Sequence, residues 1–393
     1  MSKKKKRASG CGCSNIPISL ILLFVGGAYW WLSHQQQIDF KQLVTENLPI
    51  AISGWNKTSS PSESFTPTPP LPSAPIIEPQ EQLPPPRQKT PSKSSTPTPW
   101  EKKNIRGIYL SRYQVTNNAT EKKIRDRVRY YHSQGINTII HGVWGNACTM
   151  YNSQVMEQTF GDRSCPNLFR DRWLDWLIDE AHQHGMEVHA YFEKGIKIDK
   201  NSPIFDLAME RQWLVPGVDR TYAGVDHYIL DVEVPEIANL FRDILVEFVR
   251  EYPTIDAVQW DDYLGYHAEL PGKIDRTDYL TKFLQQAIAA MKEANPQVSF
   301  DICHHNPYWA KKYFAADWQK WDVDRVFIQA YNDGNFLPEM NYAEKYAGIA
   351  ITDRQLHRLP EIIANDKIQG ILIFPLSGKP TETASNLQQF LID

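Results

Sequence analysis

Cysteine is scarce in this chain, five in 393 residues, and no set of them stands at zinc-finger spacing, so a disulfide framework or a structural zinc site does not carry the fold. No internal repeat is present, and no Gly-rich phosphate fingerprint follows the first apolar run, which removes the usual dinucleotide-binding reading. Excess basic charge is missing from most of the chain. Lys3, Lys4, Lys5, Lys6 and Arg7 supply five positive charges with no acid before His34, which leaves 37 bases against 46 acids elsewhere, a net of −9. Such an acidic body excludes nucleic acid as the main partner, because neutralising phosphates takes clustered Lys and Arg. What is abundant is apolar and aromatic: 42% hydrophobic residues, 12 Trp and 18 Tyr exclude a wholly disordered chain and provide for a large core.

The amino-terminal quarter is organised differently. Directly after the basic cluster, the run IPISLILLFVGGAYWWL from Ile16 to Leu32 is uncharged and long enough for a tilted bilayer crossing. Positive residues stay cytoplasmic and Trp30 with Trp31 suit the far interface, so the pattern predicts a signal-anchor over 16–33 with everything beyond it outside the cytoplasm. No small-x-small cleavage site follows Trp31, and the Ala8-Ser9-Gly10-Cys11 sequence precedes the apolar run, whereas a lipoprotein box would follow it. Thirteen of the 27 prolines fall between Pro61 and Pro99, a stretch unable to form a regular ladder. The expected organisation is a basic tail over 1–15, the anchor over 16–33, a juxtamembrane and Pro/Ser/Thr-rich linker over 34–103, and one folded domain over 104–393. At about 3.1 Å per residue in an extended proline-rich segment, the linker could hold that domain on the order of 100 Å from a membrane.

From residue 104 onward, short apolar or alternating runs alternate with helical periodicity. Eight runs predict strands: 106–111, 138–144, 187–193, 257–263, 299–305, 325–331, 346–352 and 370–376. Helices are expected at 121–133, 172–184, 235–252, 279–294 and 353–365. Eight βα units in this length predict a (β/α)8 TIM barrel, with the open doubly wound sheet as the alternative.

Barrel enzymes do their chemistry at the carboxyl ends of the strands. Side-chain alternation sorts the residues there. In Ala257 to Tyr263, Val258 and Trp260 form the helix-facing pair, turning Gln259, Asp261 and Tyr263 toward the axis; Asp262 lies on the other side unless the strand has ended. The same alternation turns His189, Tyr191 and Glu193 inward, as well as Asp301, Cys303, His305, Gln329 and Tyr331. Glu193 and Asp261 then converge on one mouth, surrounded by Trp144, Tyr191, Tyr263 and Tyr331. Breaking an acetal takes a proton on the leaving oxygen and a negative charge or activated water at the anomeric carbon, while aromatic faces bind sugar C–H surfaces. Two carboxyls among aromatic rings therefore point to a glycosidase, needing no cofactor. Asp261 is the expected nucleophile, base or substrate-orienting carboxylate, Glu193 the proton donor, and Asp262 a rim partner or alternate acid. Trp144, Tyr191, Tyr263, Asp301, His305, Gln329 and Tyr331 are the expected substrate contacts.

A metal hydrolase drawing on His141, His189, His304, His305 and Asp261 is the second enzymatic reading. It is disfavoured because the first run, Arg106 to Ser111, has no His-x-His pair and adjacent His304 and His305 should face opposite ways, so no metal site is expected. Cys148 and Cys165 share the long loop after the second strand, and their spacing permits a disulfide in an oxidising compartment. Cys303 reads as a buried thiol.

The motifs RGIYLS, GINTIIHGVW, Met150-Tyr151-Asn152-Ser153, DWLIDEAHQHGMEVHAYF, LDVEVPEIANLFRDILVEFVREY, IDAVQWDDY and FIQAY give the chain, from Ile105 to Asp393, a resemblance to the family 10-like glycosylhydrolases, barrel proteins of bacterial envelopes. That resemblance implies a barrel glycosidase with the paired Asp motif at its mouth, acting on an extracytoplasmic polysaccharide such as peptidoglycan glycan strands. True family 10 xylanases look different: their fourth strand ends in Asn-Glu and their seventh carries a Glu, whereas these strands end in Asp-Asp-Tyr and in Thr352-Asp353. The chain also departs from the family pattern at Trp144 and Glu193. On that departure rests a reading of another class, a glycan-binding barrel without catalysis that serves envelope architecture.

Overall fold

The protein is described by a computed structural model covering residues 97–220, 226–266 and 274–391. The expected anchor and nearly all of the proline-rich linker lie outside these residues. Among the described residues, no helix is long and apolar enough to cross a membrane.

Eight parallel strands close into a barrel: β1 (Ile105–Leu110), β2 (Thr138–Gly145), β3 (Glu187–Phe192), β4 (Ala257–Asp261), β5 (Ser299–His304), β6 (Arg325–Gln329), β7 (Gly348–Thr352) and β8 (Gly370–Phe374). Each pairs with its sequence neighbours, and β8 returns to β1 with Ile105 opposite Gly370 and Ile108 opposite Ile373. A helix follows every strand: α1 (Glu121–Ser133), α2 (Trp173–Gln183), α3 (Pro235–Glu251), α4 (Thr277–Ala294), α5 (Pro307–Phe314), α6 (Phe336–Tyr346), α7 (Leu359–Ala364) and α8 (Pro380–Leu387). This is the (β/α)8 arrangement expected from the alternating periodicities, and all eight strands fall on the expected runs.

The helices form because their apolar residues recur every three or four positions, and two of them, α1 and α5, are capped at their amino ends by the Thr120 and Asn306 side chains. In α3, Pro235 starts the helix, where a missing N–H is no loss, and Ile237, Leu240, Phe241, Ile244, Leu245 and Phe248 line one buried face. That face meets the outward residues of the strands. Phe192 stacks on Trp260 at 5.3 Å between ring centres, and Trp144 packs edge-on against Phe241 at 5.4 Å. Burying one such large side chain contributes about 1.5–3 kcal/mol, so this layer between sheet and helices supplies most of the stabilisation.

The barrel interior is a second, separate apolar cluster built from Ile105, Tyr109, Ile140, Tyr191, Cys303, Phe327, Ala350 and Leu372. Beneath it, the amino end is closed by charge. Arg325 donates to both carboxylate oxygens of Asp301 at 3.0 and 2.9 Å and to Glu187 at 3.0 Å, while His189 meets Glu187 at 2.9 Å. The packed unit also begins before the expected boundary at 104. Trp100 is buried and donates its indole N–H to the Gly135 carbonyl at 3.1 Å, and the Lys103 ammonium donates to the Asn365 and Ile368 carbonyls at 2.8 and 2.7 Å.

The connections after β2 and β3 are the long ones. In the first, a disulfide joins Cys148 to Cys165, 17 residues apart, with 5.1 Å between Cα atoms. The second carries a two-stranded antiparallel sheet, Lys197–Ile198 with Tyr228–Ile229. Among the described residues, the large hydrophobics that stay exposed share this carboxyl end. Leu168, Met209, Ile274 and Leu376 lie in βα connections, and Tyr279, Tyr308, Trp309 and Leu337 in the first turn of the helix that follows.

Candidate active site

Strand β4 ends at Asp261, and the chain turns at once through Asp262 and Tyr263. The two acids consequently leave strict alternation, and both carboxyls reach the barrel mouth. Asp261, opposite Cys303 in the register, takes a hydrogen bond from the Tyr191 hydroxyl and one from the Tyr263 N–H at 3.0 Å. Asp262 takes one from the Gln329 amide at 3.1 Å and faces the His305 ring nitrogen at 3.7 Å. Asp262 reaches the mouth by the exception stated for it, because the strand ends at Asp261, two residues before the end of the expected run.

Both carboxyls are nearly inaccessible, and burial acts on them unequally. Burial first, and then the adjacent Asp262 charge, push the Asp261 carboxyl up to about 7. Burial opposes ionisation of Asp262 as well, but His305, His304 and Lys197 outweigh it and hold that carboxyl below its ordinary range. The two consecutive acids are therefore shifted in opposite directions, Asp261 holding its proton up to about pH 7 and Asp262 charged well below it.

Glu193 lies just past the end of β3 and is engaged. Its carboxylate accepts from the Arg112 backbone N–H at 3.1 Å and from the Arg112 guanidinium at 3.1 Å. Burial raises this carboxyl and Arg112 lowers it, with a net upward shift. Gly142 makes room for the pair: a Cβ there would sit 2.2 Å from a Glu193 oxygen and 2.9 Å from the Arg112 nitrogen. A second glycine shapes the other flank. Gly195, at φ +46°, lies so close to the Asp-Asp-Tyr turn that a Cβ would come within 2.7 Å of the Tyr263 carbonyl.

Aromatic rings surround the acids. Tyr109 meets Tyr191 edge-on at 5.1 Å, Tyr331 stacks on Phe374 at 6.1 Å, and the Tyr331 hydroxyl lies 3.6 Å from the Cys303 sulfur. Tyr263 is covered by the fully buried Lys197 ammonium, 4.9 Å from its ring centre, and Lys197 pairs with Asp219 at 2.7 Å. His305 stacks on Phe314 at 5.1 Å.

The structure thus brings Asp261, Asp262, Tyr191, Tyr263, His305, Gln329 and Tyr331 together, with Glu193 beside Tyr191. Two expected substrate contacts are elsewhere. Trp144 is fully buried on the helix-facing side and donates its N–H to the Gly195 carbonyl at 3.0 Å, because β2 breaks register between Gly142 and Trp144. Asp301 does face inward, but one layer deeper, in the closed charge cluster with Arg325. The histidines of the metal reading are scattered likewise. His141 packs on Trp173 at 4.7 Å outside the barrel, His189 belongs to the amino-end cluster, and no group of three metal-ligating side chains occurs among the described residues. His304 and His305, expected on opposite faces, both pack against Phe314. Of the residues that sequence reasoning missed, Tyr109 was accessible to the same alternation that found Tyr191. Arg112, Gly142 and Lys197 carry no local signal.

Known proteins agree with this architecture. The family described as Glycosyl hydrolase-like 10 matches residues 104–275, a span that holds β1 to β4 with Glu193, Asp261 and Asp262, and so bears out the resemblance read from the motifs. The chain is 29% identical to "Glycosyl hydrolase DigH" of Escherichia coli strain K12 and 27% identical to the protein of that name from E. coli O6:H1, in each case over 56% of this chain and 60% of the relative. It therefore spans well under the full length of the curated relatives that it matches. Among solved structures, the GH20 exo-β-N-acetylglucosaminidase from Vibrio harveyi in complex with N-acetylglucosamine superposes with a TM-score of 0.50 at 11% identity, covering 73% of this chain and 54% of that one, a likeness of fold alone.

Proposed function

We propose that the chain is a glycoside hydrolase acting on an extracytoplasmic polysaccharide, with the glycan strands of peptidoglycan as the first substrate to try, displayed from a membrane by the apolar segment at 16–33. The observation that carries this reading is the Asp261–Asp262 pair at the barrel mouth, two buried neighbouring carboxyls with opposite protonation preferences. Protonated Asp261 donates to the glycosidic oxygen as the C–O bond breaks, and charged Asp262 stabilises the positive charge that grows on the sugar ring. Water then supplies hydroxide to the anomeric carbon and returns a proton to Asp261, leaving one new reducing end per bond cleaved. Tyr191 and the Tyr263 N–H fix Asp261, while Gln329 and His305 fix Asp262. These roles differ from those expected from sequence, where Glu193 was the donor, because Arg112 already occupies Glu193.

That same ion pair favours the second reading, a glycan-binding barrel without turnover, in which Glu193 serves the loop architecture alone. Incubation of the full-length chain with intact peptidoglycan, peptide-stripped glycan strands and chitin, followed by assay of reducing ends, separates the two. New reducing ends on any of them support the hydrolase. Retention on a glycan without reducing ends favours the binding barrel.

A further inference from the structure

Helix α5 begins directly after the site, since β5 ends at His304, His305 faces Asp262, and Asn306 caps the helix by accepting from the Trp309 N–H at 3.1 Å. Its first turn then presents to solvent two large rings that a monomeric barrel has no packing reason to expose: Tyr308 is 59% and Trp309 43% accessible. The rings touch one another and a neighbouring cation. Trp309 lies against Tyr313 with 4.6 Å between ring centres, and the Lys312 ammonium donates to the Tyr308 hydroxyl at 3.1 Å while sitting 5.0 Å from the Tyr313 ring centre. Tyr313 in turn precedes Phe314, on which His305 stacks.

We propose that Tyr308, Trp309 and Tyr313 form a platform for the sugar units of a glycan strand that extend beyond the cleavage position, so that the enzyme binds polymer in preference to short oligosaccharides. This rests on the glycosidase reading and adds to it a determinant of substrate length. Three observations favour a glycan over a lipid surface or a protein. The platform sets two exposed rings side by side on one helical turn, whereas the other exposed ring of this end among the described residues, Tyr279, shares its connection only with the aliphatic Ile274. Its rings are held by neighbours, as stacking on flat C–H faces of sugars requires. It also lies beside the mouth, on a helix that starts two residues after His305, the ring that faces Asp262.

The test uses the full-length chain, its Tyr308→Ala/Trp309→Ala variant and Trp309→Phe, on peptide-stripped peptidoglycan glycan strands and on the chromogenic nitrophenyl glycoside of chitobiose. The double variant is expected to raise KM on strands at least tenfold with kcat unchanged, to leave the disaccharide within twofold, and Trp309→Phe to remain close to the parent. Equal losses on both substrates, or an unchanged KM on strands, would overturn the platform. Should the parent cleave neither substrate, the hydrolase reading fails by itself, and co-sedimentation with insoluble chitin decides: the platform survives if the double variant loses at least tenfold in binding and Asp261→Asn does not. A parent that fails to bind any of these glycans would sink it.

Discussion

Replacing Asp261 by Asn should abolish turnover and at the same time stabilise the protein, with a pH dependence of definite sign. The carboxyl titrates near 3.8 in an unfolded chain and is pushed up to about 7 in the folded one. A raised carboxyl pKa means that the folded state binds a proton the unfolded state releases. The associated stability is fully present below pH 3.8 and is lost progressively as pH rises through about 7. At 1.36 kcal/mol per pKa unit, that loss amounts to about 4 kcal/mol as an upper figure. Asn cannot ionise, so the variant escapes it, and its carbonyl can still accept from Tyr191 or from the Tyr263 N–H. Allowing for one weakened hydrogen bond of about 1–2 kcal/mol, the variant should exceed the parent by about 2–3 kcal/mol at pH 8 and match or fall slightly below it at pH 4. Urea denaturation of both proteins at pH 4, 6 and 8 measures this directly. A difference that stays flat across the series, or a variant less stable at pH 8, would refute the claim that Asp261 is held protonated by burial and by its neighbour.

Other consequences are open to test. Turnover should fall as pH rises through about 7, where Asp261 loses its proton, and Asp262→Asn, by removing the adjacent charge, should move that fall downward by about one unit or more, read from kcat/KM against pH. Arg325→Met leaves Asp301 buried without its cation and should destabilise the barrel by about 3–5 kcal/mol in chemical denaturation, while activity per folded molecule stays within about threefold, since the amino end of a barrel serves stability. Cys148→Ser/Cys165→Ser opens a loop of 17 residues and should lower stability by about 3 kcal/mol, matched by the parent under strong reductant. In Gly142→Ala the new methyl displaces Glu193 from Arg112, so kcat/KM should drop at least tenfold with circular dichroism unchanged if that ion pair shapes the site.

The eight strands were legible because each is a short apolar or alternating run flanked by helical periodicity, and the inward set of β3 and β4 followed from alternation alone. What alternation cannot report is where a strand stops, where it slips, and how deep a residue sits. Asp262 entered the mouth because β4 ended at Asp261. Trp144 left it because β2 changes register after Gly142. Asp301 faced the axis as expected but lies level with Arg325, a full layer below Cys303. Residues brought in by loops were out of reach for another reason. Arg112 meets Glu193 across 81 positions, and Lys197 reaches Tyr263 from an inserted hairpin, contacts set by tertiary packing with no periodic trace.

The central claim is that Asp261 and Asp262 together break a glycosidic bond. The most direct measurement is the rate of reducing-end release from peptide-stripped glycan strands at pH 6 by the full-length chain, by Asp261→Asn and by Asp262→Asn, each checked for fold by circular dichroism. Losses of at least about a hundredfold in both variants, with strand binding retained, are expected for groups acting in the transition state. Either variant remaining within tenfold of the parent would contradict it.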